Sequence, residues 1–311
     1  MGKLLVVLAG LALLATAGGA QTQFGAMQRQ EVINSLSSML ADRYLDEPVG
    51  KRLSQLLQDR LNRGEFDSLT QPDAFAAAVT DVLQAETRDR HLWIWYRNGA
   101  PARLQFAFVE APMVGRVDVL PGNIGYIEIR HFVGQTAEFD AAMEKVKGAA
   151  ALILDLRQCA GGNREQVLHL STYFFAKPTR LLSRQARTDP APLEHWTLDT
   201  LPGPRFVDAP VYALTSQRTF SAGEGFALGL RVNGRALLVG EKTGGGGHYV
   251  QGFPQLPHGF QMLLPVGRNL DPRTGRSWEI EGLGPDLAVN AEQALQAAIG
   301  HFHGWKPRRI P

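Results

Sequence analysis

Apolar positions recur at helical spacing through the first third of the chain. Val32, Ile33, Leu36, Met39 and Leu40 fall on one face; Leu53, Leu56, Leu57 and Leu61 fall on a second, which ends at Gly64. Thr70 and Asp73 have the spacing of a capping box, Pro72 suits a first helical turn, and Phe75, Val79, Val82 and Leu83 form a third apolar face. The spacing predicts a helical bundle over residues 25–90, in which no side chain calls for chemistry. From residue 91 the pattern changes to short apolar runs between turns. Residues 124–129, 150–154, 211–215 and 236–239 read as buried strands, with helical patterns over 164–175 and 222–231. Strands alternating with helices predict an α/β core over residues 91–292, followed by a C-terminal helix and basic tail over 293–311. Residues 182–210, rich in Pro, Arg and Asp, predict an irregular excursion.

The first 20 residues break from this scheme. Lys3 precedes an apolar run from Leu4 to Ala15, and small residues follow to Ala20. This is the pattern of a secretory signal peptide cleaved after Ala17 or Ala20, in a run too short for a comfortable membrane span. The expected product is exported, periplasmic or secreted, with no stable span after signal removal. Cys159 is the single cysteine, so no intrachain disulfide is available and a structural zinc site is disfavoured. The net charge of +2 is too small to argue for nucleic acid, and the Lys306-Pro307-Arg308-Arg309 segment reads as a solvated tail.

Candidate chemistry centres on Ser221. It lies between the strand at 211–215 and a run of good helix formers beginning at Ala222. A serine at a helix N-terminus faces free amides and the positive end of the helix dipole, which suit a developing oxyanion; a plain N-cap is the alternative. Gly161 and Gly162 follow the strand that ends at Asp155-Leu156-Arg157, where glycine permits close approach of a backbone amide or simply a turn. Asp155 and Arg157 could form a structural ion pair. A nucleophilic serine needs a base. His91 stands at the junction of the helices and the first strand, while His131, His169, His195, His248, His258, His301 and His303 stay open. Gly244–Gly247 lacks the lysine and serine of a phosphate-binding loop.

Four blocks in order resemble the serine peptidase family of C-terminal (tail-specific) processing proteases, the tricorn core and interphotoreceptor retinoid-binding protein. They are Asp89-Arg90-His91-Leu92; Asp155-Leu156-Arg157 with Gly161-Gly162; Thr219-Phe220-Ser221-Ala222-Gly223-Glu224 with Gly240-Glu241-Lys242-Thr243-Gly244; and Trp278-Glu279-Ile280-Glu281-Gly282-Leu283-Gly284-Pro285-Asp286. The resemblance implies a crotonase/ClpP-like spiral core. It implies Ser221 as nucleophile, with the amides of Ala222 and Gly161 or Gly162 as oxyanion donors. Gly246 stands where the processing proteases carry a catalytic lysine. The likeness is therefore to the tricorn-like and retinoid-binding-protein-like branch, with His91 as base and Glu279, or Glu281 in its stead, orienting it. The stretch from His91 to Ile124 is too short for a PDZ domain. Arg90 replaces the serine or glycine that precedes the histidine in some relatives, so a relay through that neighbour is not expected.

The implied partner is a peptide or protein substrate, with no cofactor and no metal. Two alternatives stand beside this reading: a catalytically silent protein binding a hydrophobic ligand on the same fold, and a Ser-Lys dyad using Lys242. Trp93, Trp95, Tyr96 and the loop from Phe253 to Phe260 could line an apolar cleft or belong to the core.

Overall fold

The computed structural model describes residues 24–97 and 111–304. The expected signal peptide and the basic tail lie outside the described residues. Helices α1 (Ala26–Arg43), α2 (Glu47–Asn62) and α3 (Pro72–Thr87) occupy the predicted bundle region. Asp46 caps α2 by accepting the Val49 N–H, with Pro48 in the first turn. The Thr70–Asp73 capping box does not form. The N-cap of α3 is Gln71, without a side-chain bond, so Thr70 sits one position too early.

The bundle is not closed on itself. Its apolar faces share one core with strand β1 (Trp93–Tyr96) and strand β10 (Phe260–Leu263), which pair antiparallel. Phe75 is fully buried there, its ring centroid 5.2 Å from Phe24 and 5.7 Å from both Phe66 and Phe260. Burying one such side chain is worth about 1.5–3 kcal/mol. The helices therefore hold β1, and with it the preceding His91, against the rest of the chain.

The main sheet has six strands: β2 (Val114–Leu120), β3 (Ile124–Ile129), β4 (Ala151–Asp155), β7 (Val211–Thr215), β8 (Leu237–Gly240) and β12 (Leu287–Ala288). Their order is β12-β8-β7-β4-β3-β2, all parallel except β2. Every residue of β4 and β7 is buried. Side chains alternate between two faces, as the strand period requires. Leu152, Leu154 and Ala213 join a core with α4 (Ala137–Val146), α5 (Arg164–Thr172) and α6 (Ala222–Val232). Ile153, Tyr212 and Leu214 face α7 (Ala294–Gly304) on the other side. This is the α/β architecture that the alternating pattern predicts.

The expectation of an irregular excursion over 182–210 holds for residues 197–210, which form no helix or strand, and is corrected for 182–196. Strands β5 (Arg180–Ala186) and β6 (Leu193–Trp196) form a hairpin there. With β11 (Pro265–Leu270) and β9 (His248–Val250) they make an antiparallel sheet of order β6-β5-β11-β9. β6 is an edge strand exposed at three of its four positions, so it carries no apolar alternation to read. No helix among the described residues is long and apolar enough to cross a membrane.

The loops that leave the carboxyl ends of β4, β7 and β8 converge. In parallel α/β sheets that edge is where ligands bind, and these loops carry residues 156–163, 216–221 and 241–247.

Candidate active site

The turn before α6 is fixed from several sides. The Thr219 hydroxyl donates to the Leu156 carbonyl at 2.8 Å, and the Phe220 N–H donates to the Cys159 carbonyl at 2.9 Å. These bonds clamp the 216–221 loop to the loop after β4. Ser221 is the N-cap residue of α6, with φ 51° and ψ −119°. A non-glycine residue at such φ is strained and persists only where its surroundings dictate it. Glu224, fully buried in the first turn of α6, supplies that constraint. Its carboxylate accepts the Ser221 N–H at 2.9 Å, the Gly246 N–H at 2.6 Å, the Gly245 N–H at 2.8 Å and the Thr243 hydroxyl. Burial pushes the Glu224 carboxyl up, and the four donors oppose that push. Four donors match the four acceptor sites of an ionised carboxylate.

His91 meets Ser221: its Nε2 is 3.1 Å from the serine Oγ. The imidazole stacks on Phe220, with centroids 4.7 Å apart, and is 4 % exposed. Burial pushes His91 down to about 4, against the pull of Asp89, so the ring is neutral near pH 7 and Nε2 can accept a proton. Its Nδ1 is buried without a hydrogen-bond partner, 3.9 Å from Asp89 Oδ1.

Glu279, the carboxylate expected to orient His91, does not touch it. Its Oε2 accepts the His248 N–H at 2.7 Å and lies 3.8 Å from His248 Nδ1. His248 Nδ1 bonds Asp89 Oδ2 at 2.7 Å. The carboxylate facing His91 is Asp89, two residues earlier, whose Oδ1 also accepts the His91 N–H at 2.9 Å. Burial works to raise the Asp89 carboxyl, but the hydrogen bond and charge of His248, with His91, hold it below the ordinary range. Burial pushes Glu279 up to about 7. Glu281 is exposed in the adjoining turn. Sequence reasoning gave no role to Asp89 or Glu224 and left His248 only among the open candidates for a base. The aspartate two residues before a histidine is a local turn signal of the Asx type; the His248 contact spans 159 residues and has no local signal.

The glycine at position 246 has a steric cause. A Cβ there would lie 2.5 Å from the Phe220 ring and 2.9 Å from His91 Cε1. The histidine and its stacking partner fill the space that a side chain from residue 246 would need. Gly246→Ala should lower kcat/KM by about 10²-fold by displacing His91, since small misplacements of a base carry such costs; steady-state kinetics on the folded variant check this. Lys242 is exposed, while its neighbour Thr243 turns inward to Glu224. The Arg90 guanidinium lies 4.5 Å over Phe220 and reaches the Gly244 carbonyl, pointing to no relay. Histidines 131, 169, 258 and 301 are engaged elsewhere, with the Ala111 carbonyl, Asp140, Glu31 and Tyr212.

A cleft of about 440 Å3 opens beside Ser221. Leu168, Leu182, Val250, Phe253 and Trp278 contribute apolar walls, and His195 also lines it. Of the aromatic residues flagged for a cleft, Phe253 is in its lining, whereas Tyr96 and Phe260 pack in the helical core. Ala222 and Gly162 also line it. The Ala222 amide opens α6 and has no intrahelical acceptor by position. Of the two glycines, Gly162 is the one in the cleft lining. A Cβ on Gly161 would stand 2.8 Å from Ser221 Cβ, and its φ of +106° favours glycine as well. Cys159 is buried, its thiol pushed up to about 12, so it is no rival nucleophile. Asp155 and Arg157 form the ion pair considered from sequence; the arginine also holds the Ala291 carbonyl at 2.7 Å.

Asp89, His248 and Glu279 are the one group among the described residues whose ligand atoms, within 4.8 Å of one another, could converge on a cation. The His248–Asp89 distance of 2.7 Å is that of a hydrogen bond.

Residues 123–289 match the profile of Peptidase family S41. A carboxyl-terminal-processing protease of Picosynechococcus sp. is 30 % identical over 197 residues, covering 61 % of this chain and 45 % of that protein. The chain thus spans less than half the length of this relative. A lipoprotein from Streptococcus agalactiae superposes with TM-score 0.63 at 15 % identity, covering 90 % of this chain and 96 % of the other. The photosystem II D1 C-terminal processing protease does so with TM-score 0.54 at 16 % identity, covering 85 % and 94 %. These two structures share the fold.

Proposed function

The chain belongs to peptidase family S41, and on that premise we propose that it is an exported serine-type peptidase that cleaves peptide bonds through an acyl-enzyme on Ser221. The observation that carries the reading is the 3.1 Å approach of a neutral, buried His91 to a strained serine at a helix N-terminus. Ser221 Oγ attacks the carbonyl carbon while His91 Nε2 takes its proton. The oxyanion is held by the amides of Ala222 and Gly162, and each such donor is worth about 10²- to 10³-fold in rate. His91 then returns the proton to the leaving amine, and water repeats the cycle on the ester. Asp89 orients the imidazole and balances the imidazolium. The apolar cleft suits an apolar side chain of the substrate next to the scissile bond. Export rests on the Lys3 and Leu4–Ala15 pattern.

The test is hydrolysis of fluorogenic peptides with an apolar residue before the cleaved bond, followed across pH. His91 is shifted to about 4, so the ring protonates, and Nε2 stops accepting, only as pH falls through that value. The acid limb of kcat/KM is expected near pH 4, with a flat profile from about pH 5 to 7 as far as this group is concerned. A limb near the ordinary histidine value of about 6.5 contradicts a buried neutral base. No peptide hydrolysis by the folded protein supports instead the non-catalytic binder of a hydrophobic ligand.

A further inference from the structure

We infer that His248 is a positioning residue, which fixes the Asp89 carboxylate so that one oxygen stays turned to His91. The inference rests on the proposed His91–Ser221 reading and extends it to a residue that the chemistry does not touch.

The bonding of Asp89 carries the argument. Its Oδ2 is taken by two donors, the Tyr44 hydroxyl at 3.0 Å and His248 Nδ1 at 2.7 Å. Its Oδ1 receives the His91 N–H and lies 3.9 Å from His91 Nδ1. One acceptor site of Oδ1 is therefore left for the imidazole, whose Nδ1 has no other partner. About 1 Å of approach brings that pair to hydrogen-bond length, the tightening expected when substrate binds. Asp89 is 1 % exposed, so water does not compete for the remaining site.

His248 is held in turn. It opens β9, and Glu279 Oε2 fixes its backbone N–H. Its side chain stands between two carboxylates, 2.7 Å from the buried Asp89 and 3.8 Å from the partly buried Glu279. The imidazole keeps apart two acids that would otherwise repel, and commits Asp89 rather than Glu279 to the donor. Glu279 thereby acts at one remove from His91, through His248.

The experiment compares His248→Leu, which fills space without donating, with His248→Asn, whose amide nitrogen can occupy the place of Nδ1. His248→Leu should lower kcat by about 10²-fold with KM changed less than about threefold, and slow phosphonylation of Ser221 in parallel. His248→Asn should recover at least about tenfold of that loss. In an Asp89→Asn background, His248→Leu should cost less than about twofold further, because the aspartate it acts through is gone. Equal activity of His248→Leu and wild type, an effect on KM alone, no rescue by asparagine, or full additivity with Asp89→Asn overturns the inference. A variant that loses its thermal transition is judged by the asparagine pair. Wild-type protein that is not phosphonylated at Ser221 at all removes the underlying reading instead, so the two failures are separable.

Discussion

Exchanging His91 for alanine should lower kcat/KM by about 10⁴-fold, while Lys242→Ala should leave it within about twofold. His91 places Nε2 at 3.1 Å from Ser221 Oγ in a site where burial keeps the ring neutral. Removing it leaves the oxyanion donors but no group to take the hydroxyl proton. Lys242 is exposed and faces away from the inward-turned Thr243. The space a lysine from position 246 would use is filled by Phe220 and His91. Peptide hydrolysis by the two purified variants, with melting temperatures to verify folding, decides between the designs. Loss of activity in Lys242→Ala alone reassigns the base.

Glu224→Gln should destabilise the protein by about 2–5 kcal/mol, the cost of leaving buried donors without an acceptor. The carboxylate accepts three backbone N–H groups and the Thr243 hydroxyl. A glutamine nitrogen would instead point its own hydrogens at two of those donors. Each buried donor left without an acceptor costs about 1–3 kcal/mol. A shift of this size should lower Tm by roughly 10 °C in a chain of this length. kcat should fall with it, because the same carboxylate holds the Ser221 backbone in its strained conformation. Calorimetry and peptide hydrolysis on one preparation check both parts. An unchanged Tm contradicts the stapling role.

The helices, the buried parallel strands and the strand-to-helix turn at Ser221 were legible because their signals are local. Helical spacing marks Val32 to Leu83, and unbroken apolar runs mark β4 and β7. The hairpin over 180–196 was not, because its outer strand exposes Leu193, Glu194 and Trp196 and buries only His195, so no apolar alternation marks it. The serine at the helix start could be read either as cap or as nucleophile; the resemblance of four ordered blocks favoured the second. Apart from the turn at Asp89, no local pattern carries the layer behind His91. Tyr44, Asp89, His248 and Glu279 come from a helix end, a turn, a strand start and a C-terminal loop. They meet only because the bundle's core closes on β10 and β9 pairs with β11, the strand that follows β10. Gly246 shows the same limit: its glycine marks an absent lysine in sequence, and its steric cause needs the positions of Phe220 and His91.

The central claim, a nucleophilic Ser221 activated by His91, is tested most directly by labelling the folded protein with a fluorophosphonate and mapping the adduct by mass spectrometry. One adduct on the peptide carrying Ser221, absent in Ser221→Ala of unchanged Tm and slowed by at least about 10²-fold in His91→Ala, is the predicted result. An adduct elsewhere, no adduct on folded wild type, or an undiminished rate in His91→Ala contradicts it.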